Sequence, residues 1–203
     1  CAEFCPAQIG AILFTMQWTI EEIGLEQFKP GDVYMHNDPY RGGCHMPEHT
    51  VLKGIWHQGE LYGFVGNIAH LTEIGGKAVG GFAADAKEVY QEGLRLPPIK
   101  IVSNGENVED IWKIILANHR TPRTSWGDFH AMTGSLTVAE RRLHQLLDHI
   151  VGDAVAVHSN DEHRTHHRDD LGLGEDVGDG VNVLHMAQGH PVDETVLPSQ
   201  VHG

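Results

Sequence analysis

The stretch Asn37-Asp38-Pro39-Tyr40-Arg41-Gly42-Gly43-Cys44-His45-Met46-Pro47-Glu48 decides how this chain is read. It is answered 22 residues after Glu48 by His70, within Asn67-Ile68-Ala69-His70-Leu71-Thr72-Glu73-Ile74-Gly75-Gly76. Just before it, Pro30-Gly31-Asp32 is a turn signature, and Val33-Tyr34-Met35 reads as a short buried strand that delivers Asn37 and Asp38 to a loop. Just after it, Thr50 to Trp56 and Leu61 to Ala69 are apolar and β-prone on either side of His57-Gln58-Gly59-Glu60, which has the composition of a hairpin turn. Such a hairpin sets His70 beside the loop that carries His45 and Glu48. Those two stand three apart, a spacing that puts both side chains on one side of a turn. Two imidazoles and a carboxylate are ligands of the kind a catalytic divalent metal uses, with positions left for water or substrate. The competing account is a hydrogen-bonded polar cluster with no metal.

Further out, Ile9, Ile12, Leu13, Met16 and Ile20 recur near helical period and predict a helix from about Ile9 to Ile23. Ile99 to Val102 predicts a strand turned by Asn104-Gly105, Val108 to Asn118 a helix, and Ser135 to Ile150 another. Between these last two, Asn118 to Phe129 reads as a dense polar loop. In it Arg120 and Arg123 are candidates for holding a carboxylate or imide oxygen, because a guanidinium offers paired donors. Pairing with Asp128 or other acids to stiffen the loop is the alternative. Glu88 and Glu92, four apart, align two carboxylates if their segment is helical, with a solvated helix face as the alternative.

The glycine-rich run Gly75-Gly76-Lys77-Ala78-Val79-Gly80-Gly81 fails the phosphate-loop pattern, since Leu71 stands where the first Gly belongs and Ala78 where Ser or Thr would hold magnesium. A structural or substrate-closing loop is the expectation, with ATP bound elsewhere.

A chain of 203 residues supports a sizeable core without disulfides, and Cys1, Cys5 and Cys44 make no paired framework. A formal charge of -14 with 14 basic residues argues against a nucleic-acid footprint. No run of apolar residues is long enough for a membrane span, so a cytoplasmic protein is expected. The run from Cys1 reads as the middle of a longer chain.

Character changes after about residue 150. Residues 151–203 contain ten acidic residues against Arg164 and Arg168, seven histidines and no aromatic residue. Two units are therefore expected: residues 1–150 as an α+β domain with a mixed sheet and helices, and 151–203 as a poorly ordered acidic tail. His163, His166 and His167 in that tail read as incidental rather than chelating.

Asn37 to Gly43, Ala69-His70 with Ile74-Gly75-Gly76, Glu92-Gly93-Leu94-Arg95-Leu96-Pro97-Pro98, Asn118-Arg120-Pro122 and Gly127-Asp128 follow one another in a pattern that resembles the hydantoinase B/oxoprolinase family over roughly residues 1–148. The resemblance implies the metal-bearing subunit of an ATP-dependent amidohydrolase that opens hydantoin or 5-oxoproline rings, the latter a reaction of glutathione metabolism. ATP would be bound by a hydantoinase A-type partner subunit. Related ketone carboxylases carry a divalent metal at positions matching His45, Glu48 and His70, which implies manganese, zinc or iron here. Glu48 stands where the family usually has Asp, and Cys44 where it has Thr. Asp38, as an orienting group or general base, and Glu73 are the catalytic candidates, and Arg120, Arg123 and Asp128 the substrate-binding ones. A carboxylase subunit, or a non-catalytic assembly subunit or inactive fragment, are the other expectations.

Overall fold

Ile12, Met16 and Ile20 recur every four residues, and in a computed structural model of the protein they form the buried face of helix α1 (Pro6–Ile23). Thr15 and Thr19 share that face, and each satisfies its hydroxyl by donating to a carbonyl one turn back in the helix. The structure describes residues 6–81, 83–159 and 182–185.

Five further segments form strands: β1 (Val33–His36), β2 (Glu48–His57), β3 (Glu60–His70), β4 (Ile99–Ser103) and β5 (Glu106–Asn107). With β6 (Asn182–His185) they make one sheet in the order β5-β4-β1-β2-β3-β6. The α+β class holds. Every described pairing is antiparallel, so the sheet is not mixed as expected. The β2–β3 turn uses Gln58 at φ 52° and Gly59 at φ 88°, both left-handed, which matches the twist of a tight hairpin.

Strand alternation sorts the side chains into two cores. Tyr34, Leu52 and Phe64 face α1 with Phe28. Met35, Val51, Ile55 and Val65 face the other way, onto α2 (Glu109–Asn118) and α3 (Pro122–Ser159) through Trp112, Ile115, Phe129, Met132 and Leu136. Each fully buried aliphatic or aromatic side chain contributes about 1.5–3 kcal/mol, so these two layers hold the sheet between helices.

Two sequence expectations change here. The segment from Pro122 to Phe129 is the first turns of α3 and not a loop. Proline is well placed at the start of a helix, and Trp126, Phe129, Met132 and Leu136 then continue its buried face. Glu88 and Glu92 merely flank a single 3-10 turn, Val89–Gln91, so no helix aligns them. The expected boundary at residue 150 falls inside α3, and Asn182–His185 pairs with β3. The rest of the expected acidic tail beyond Ser159, including His163, His166 and His167, lies outside the described residues. Among the described residues no helix is long and apolar enough to cross a membrane.

Candidate functional site

The β2–β3 register places Glu48 directly opposite His70. The loop before β2 brings in the third residue. Asp38 caps the 3-10 turn Pro39–Arg41 by accepting from the Tyr40 N–H at 3.0 Å, and Gly42 at φ 87° reverses the chain. The Glu48 N–H then donates to the His45 carbonyl at 3.1 Å. As a result His45 Nε2 lies 3.4 Å from Glu48 Oε1, and the His45 and His70 rings are 4.7 Å apart between centroids.

Glu48 is buried at the end of its strand, although Glu is among the residues least often found inside. Its Oε1 accepts from Gln8 Nε2 at 3.2 Å, while its Oε2 is buried with no hydrogen-bond partner among the described residues. Burial, with the neighbouring His45 ring, lowers the pKa of His70, which keeps an imidazole neutral and able to ligate. The donor types and the orphaned carboxylate oxygen fit a divalent cation. The three side chains do not close into one shell: among the described residues no group of three or more His, Cys, Asp or Glu is tight enough to hold a metal ion.

The loop is fixed from below by Asn37. Its amide donates to the carbonyls of Met46 and Leu94, both at 2.8 Å, and its Oδ1 accepts from the Leu96 N–H at 2.6 Å. Asp38 is fully buried and committed to its neighbours. Beyond the Tyr40 N–H it takes the Arg41 guanidinium and, at 3.4 Å, Arg95. Arg41 also grips Glu22 on α1 with two of its nitrogens.

Glu73 belongs to a second cluster. Its Oε1 accepts from the Gly75 N–H at 2.5 Å and from Arg120 at 3.0 Å, and its Oε2 accepts from the Arg120 N–H at 2.7 Å. Burial acts to raise its pKa, but these donors and the Arg120 charge outweigh burial and hold the carboxyl below its usual range. Arg120 further donates to the Gly76 carbonyl at 2.5 Å, so it clasps the glycine loop. Gly76 sits at φ 79° with the Glu92 carbonyl carbon 2.6 Å from where a Cβ would be, a close approach that only glycine permits. Arg123 is exposed in the first turn of α3 and makes no ion pair with the half-buried Asp128 among the described residues. The structure thus gathers His45, Glu48 and His70, with Asp38 on the same loop, and it groups Glu73 with Arg120 elsewhere.

Two clefts are lined by residues of this region. One, of about 410 Å³, is lined by Tyr40, Cys44, His45, Glu88 and Glu92. The other, of about 400 Å³, is lined by Gly76, Tyr90, Leu94, Arg95 and Asn118. On the far face of the sheet, His49 and His119 pack on Phe129, each with a buried Nε2 that has no hydrogen-bond partner among the described residues. Burial pushes His49 down to about 3. Sequence reasoning did not single out Arg95, Tyr40 or these histidines. Tyr40 and Arg95 each lay inside a quoted motif, which was the signal available for them.

The hydantoinase B/oxoprolinase family model matches residues 1–169, past the point near 148 where the motifs ended. The chain is 33% identical over 199 residues to caprolactamase subunit beta of Pseudomonas jessenii, covering 97% of this chain and 34% of that subunit. It is 33% identical over 109 residues to 5-oxoprolinase PfmaA of Pestalotiopsis fici, covering 54% of this chain and 8% of that protein. The crystal structure of the ATP-dependent caprolactamase from Pseudomonas jessenii superposes with a TM-score of 0.68 at 37% identity, over 75% of this chain and 26% of that one. Acetone carboxylase in its nucleotide-free structure superposes with a TM-score of 0.65 at 19% identity, over 70% of this chain and 19% of that one, a likeness of fold. The chain spans about a third of the caprolactamase subunit. With the family model covering most of its length and the fold shared with a solved relative, the chain belongs to the hydantoinase B/oxoprolinase family.

Proposed function

We propose that the chain is the metal-bearing part of a subunit that, with an ATP-binding partner of the hydantoinase A type, hydrolyses cyclic amides. One observation carries the reading: Glu48, opposite His70 and 3.4 Å from His45, keeps a buried oxygen without a partner among the described residues, beside two imidazoles. The names of the relatives, a caprolactamase and a 5-oxoprolinase, support lactams as the substrate class.

A ring amide resists water because its nitrogen lone pair is delocalised into the carbonyl. Phosphoryl transfer from ATP to the amide oxygen removes that protection. Water then adds at the carbon, the ring C–N bond breaks with a proton passing to nitrogen, and phosphate leaves on attack by a further water. A divalent metal, manganese, zinc or iron, held by His45, Glu48 and His70 would orient or acidify the attacking water.

The residues around it have distinct parts in this reading. Asp38, with its oxygens occupied by Tyr40, Arg41 and Arg95, holds the loop in place rather than moving a proton. Glu73, held ionised by Arg120, fixes the glycine loop at the edge of the neighbouring cleft. Arg123 and Asp128, near the start of α3, remain available for substrate.

The test is ATP turnover with a lactam by the whole complex, with and without bicarbonate, alongside elemental analysis. Metal-dependent ring opening that ignores bicarbonate is the expected result. A bicarbonate requirement would assign a carboxylase instead. Turnover with no bound metal would overturn the metal-centred reading.

A further inference from the structure

Glu22, Arg41, Asp38 and Arg95 form a row of alternating charge. Arg41 is bound on both sides, but Arg95 ends the row. Its one side-chain hydrogen bond is the long 3.4 Å contact to Asp38, and among the described residues its other N–H groups meet no acceptor. The guanidinium carbon lies 5.8 Å from the Tyr40 ring centroid and 5.5 Å from that of Tyr90. Those two rings are 71% and 70% exposed, a large aromatic surface left in water on either side of one cation. Tyr40 lines the cleft that contains His45, and Tyr90 and Arg95 line the other, so this group of three contributes to both.

We propose that Arg95 is an oxyanion-binding residue of this site, taking the phosphoryl group of the activated amide or the carboxylate of the opened product. The proposal rests on the hydrolase reading above. A guanidinium presents paired N–H donors that match either group, and the two nearby rings hold the cation by cation–π attraction. The chain carries a net charge of -14, which repels anions, so an oxyanion needs a local cation whose charge is not already spent. Arg120 is spent on Glu73 and the Gly76 carbonyl, and Arg41 on Glu22 and Asp38.

The experiment titrates the full chain with inorganic phosphate and, separately, with acetate, by calorimetry. Wild type should bind at least one of them. Tighter phosphate binding assigns the activated amide, and tighter acetate binding the product. Arg95→Met should weaken the preferred anion by about tenfold or more, the loss of one charge-assisted contact, and Arg95→Lys by less. Because Asp38 also touches Arg95, Tyr40→Leu with Tyr90→Leu serves as a second variant that removes both rings without touching Asp38, and it should weaken binding by about threefold or more. Wild-type affinity in both Arg95→Met and the double variant, or no binding of either anion to wild type, would overturn the proposal. Metal content measured on the same samples separates the two readings: loss of metal at His45 or His70 variants tests the hydrolase site, whereas Arg95→Met should keep its metal.

Discussion

Glu48 and His70 face each other across the first pair of the β2–β3 hairpin, which turns a gap of 22 residues in sequence into direct opposition in space. The opposition depends on a tight turn at the far end, where Gln58 and Gly59 hold left-handed backbone, and on an unbroken register from Glu48–His70 to Ile55–Gly63, with the one irregularity falling next to the turn between Ile55 and Trp56. A one-residue slip would send Glu48 to the α3 side and break the group. The site is therefore as well defined as the hairpin register.

Metal binding should depend jointly on His45, Glu48 and His70. His45→Ala or His70→Ala is expected to lower bound divalent metal by at least tenfold, as loss of one of three ligands removes a large part of the binding free energy. His57→Ala is the control, because His57 sits at the other end of β2 against the His144 ring. Elemental analysis of the purified variants checks this, and equal metal in all of them would sink the assignment.

ATP should not bind to this chain alone. Lys77, the residue a nucleotide site would need, pairs with Asp85 at 2.5 Å, its N–H donates to the Gln91 carbonyl at 2.7 Å, and Arg120 holds the loop carbonyls. The loop also follows a strand without opening a long helix, so its amides do not converge on an anion as a phosphate loop does. Calorimetry with magnesium and ATP is expected to show no heat of binding, and clear micromolar affinity would mean that the loop rearranges around nucleotide.

Much of this was legible in the sequence because it is local. The apolar, β-prone runs on either side of His57-Gln58-Gly59-Glu60 announced the hairpin, and a spacing of three put His45 and Glu48 on one side of a turn. The start of α3 was hidden because Arg120, Arg123 and Asp128 drew attention to polarity, while Trp126, Phe129 and Met132 already ran at helical spacing. Strand direction was not legible either: β1 pairs with β4 across more than sixty residues, and no local pattern states which way a distant strand runs. Nor could sequence reveal that Glu73 would take Arg120, since an ion pair between residues far apart is set by the fold that joins them.

Asn37 should matter more for stability than an exposed loop residue would. It is buried and makes three hydrogen bonds that tie the loop to the segment entering β4. Asn37→Ala leaves two carbonyls and an N–H without partners, at a cost of about 3 kcal/mol. Urea unfolding of the variant should show that loss, and metal affinity should fall with it because Met46 adjoins His45. A change below about 1 kcal/mol would mean that water replaces the clamp.

Acid should unfold the protein through its buried histidines. His36 and His119 are both lowered by burial, and His49 adds to them in the same direction. His36 meets the Thr15 carbonyl at 3.1 Å, and His119 meets the Ser125 hydroxyl at 2.9 Å, but each keeps a buried ring nitrogen without a partner among the described residues. In the unfolded chain these imidazoles take up a proton near pH 6.5, whereas in the folded chain they stay neutral to lower pH. The stability tied to them is thus complete above about pH 6.5 and falls as pH drops toward the folded values, by about 1.4 kcal/mol per pH unit for each proton the unfolded state binds in excess. Glu73, whose carboxyl is also lowered, extends the loss below about pH 4.5. Thermal unfolding between pH 7.5 and 5 is the measurement. The melting temperature should fall steadily, and His119→Gln, which keeps a polar side chain but cannot charge, should flatten the slope even if it lowers the plateau. An unchanged slope in that variant would show that His119 is protonated in the folded protein and that burial does not govern it.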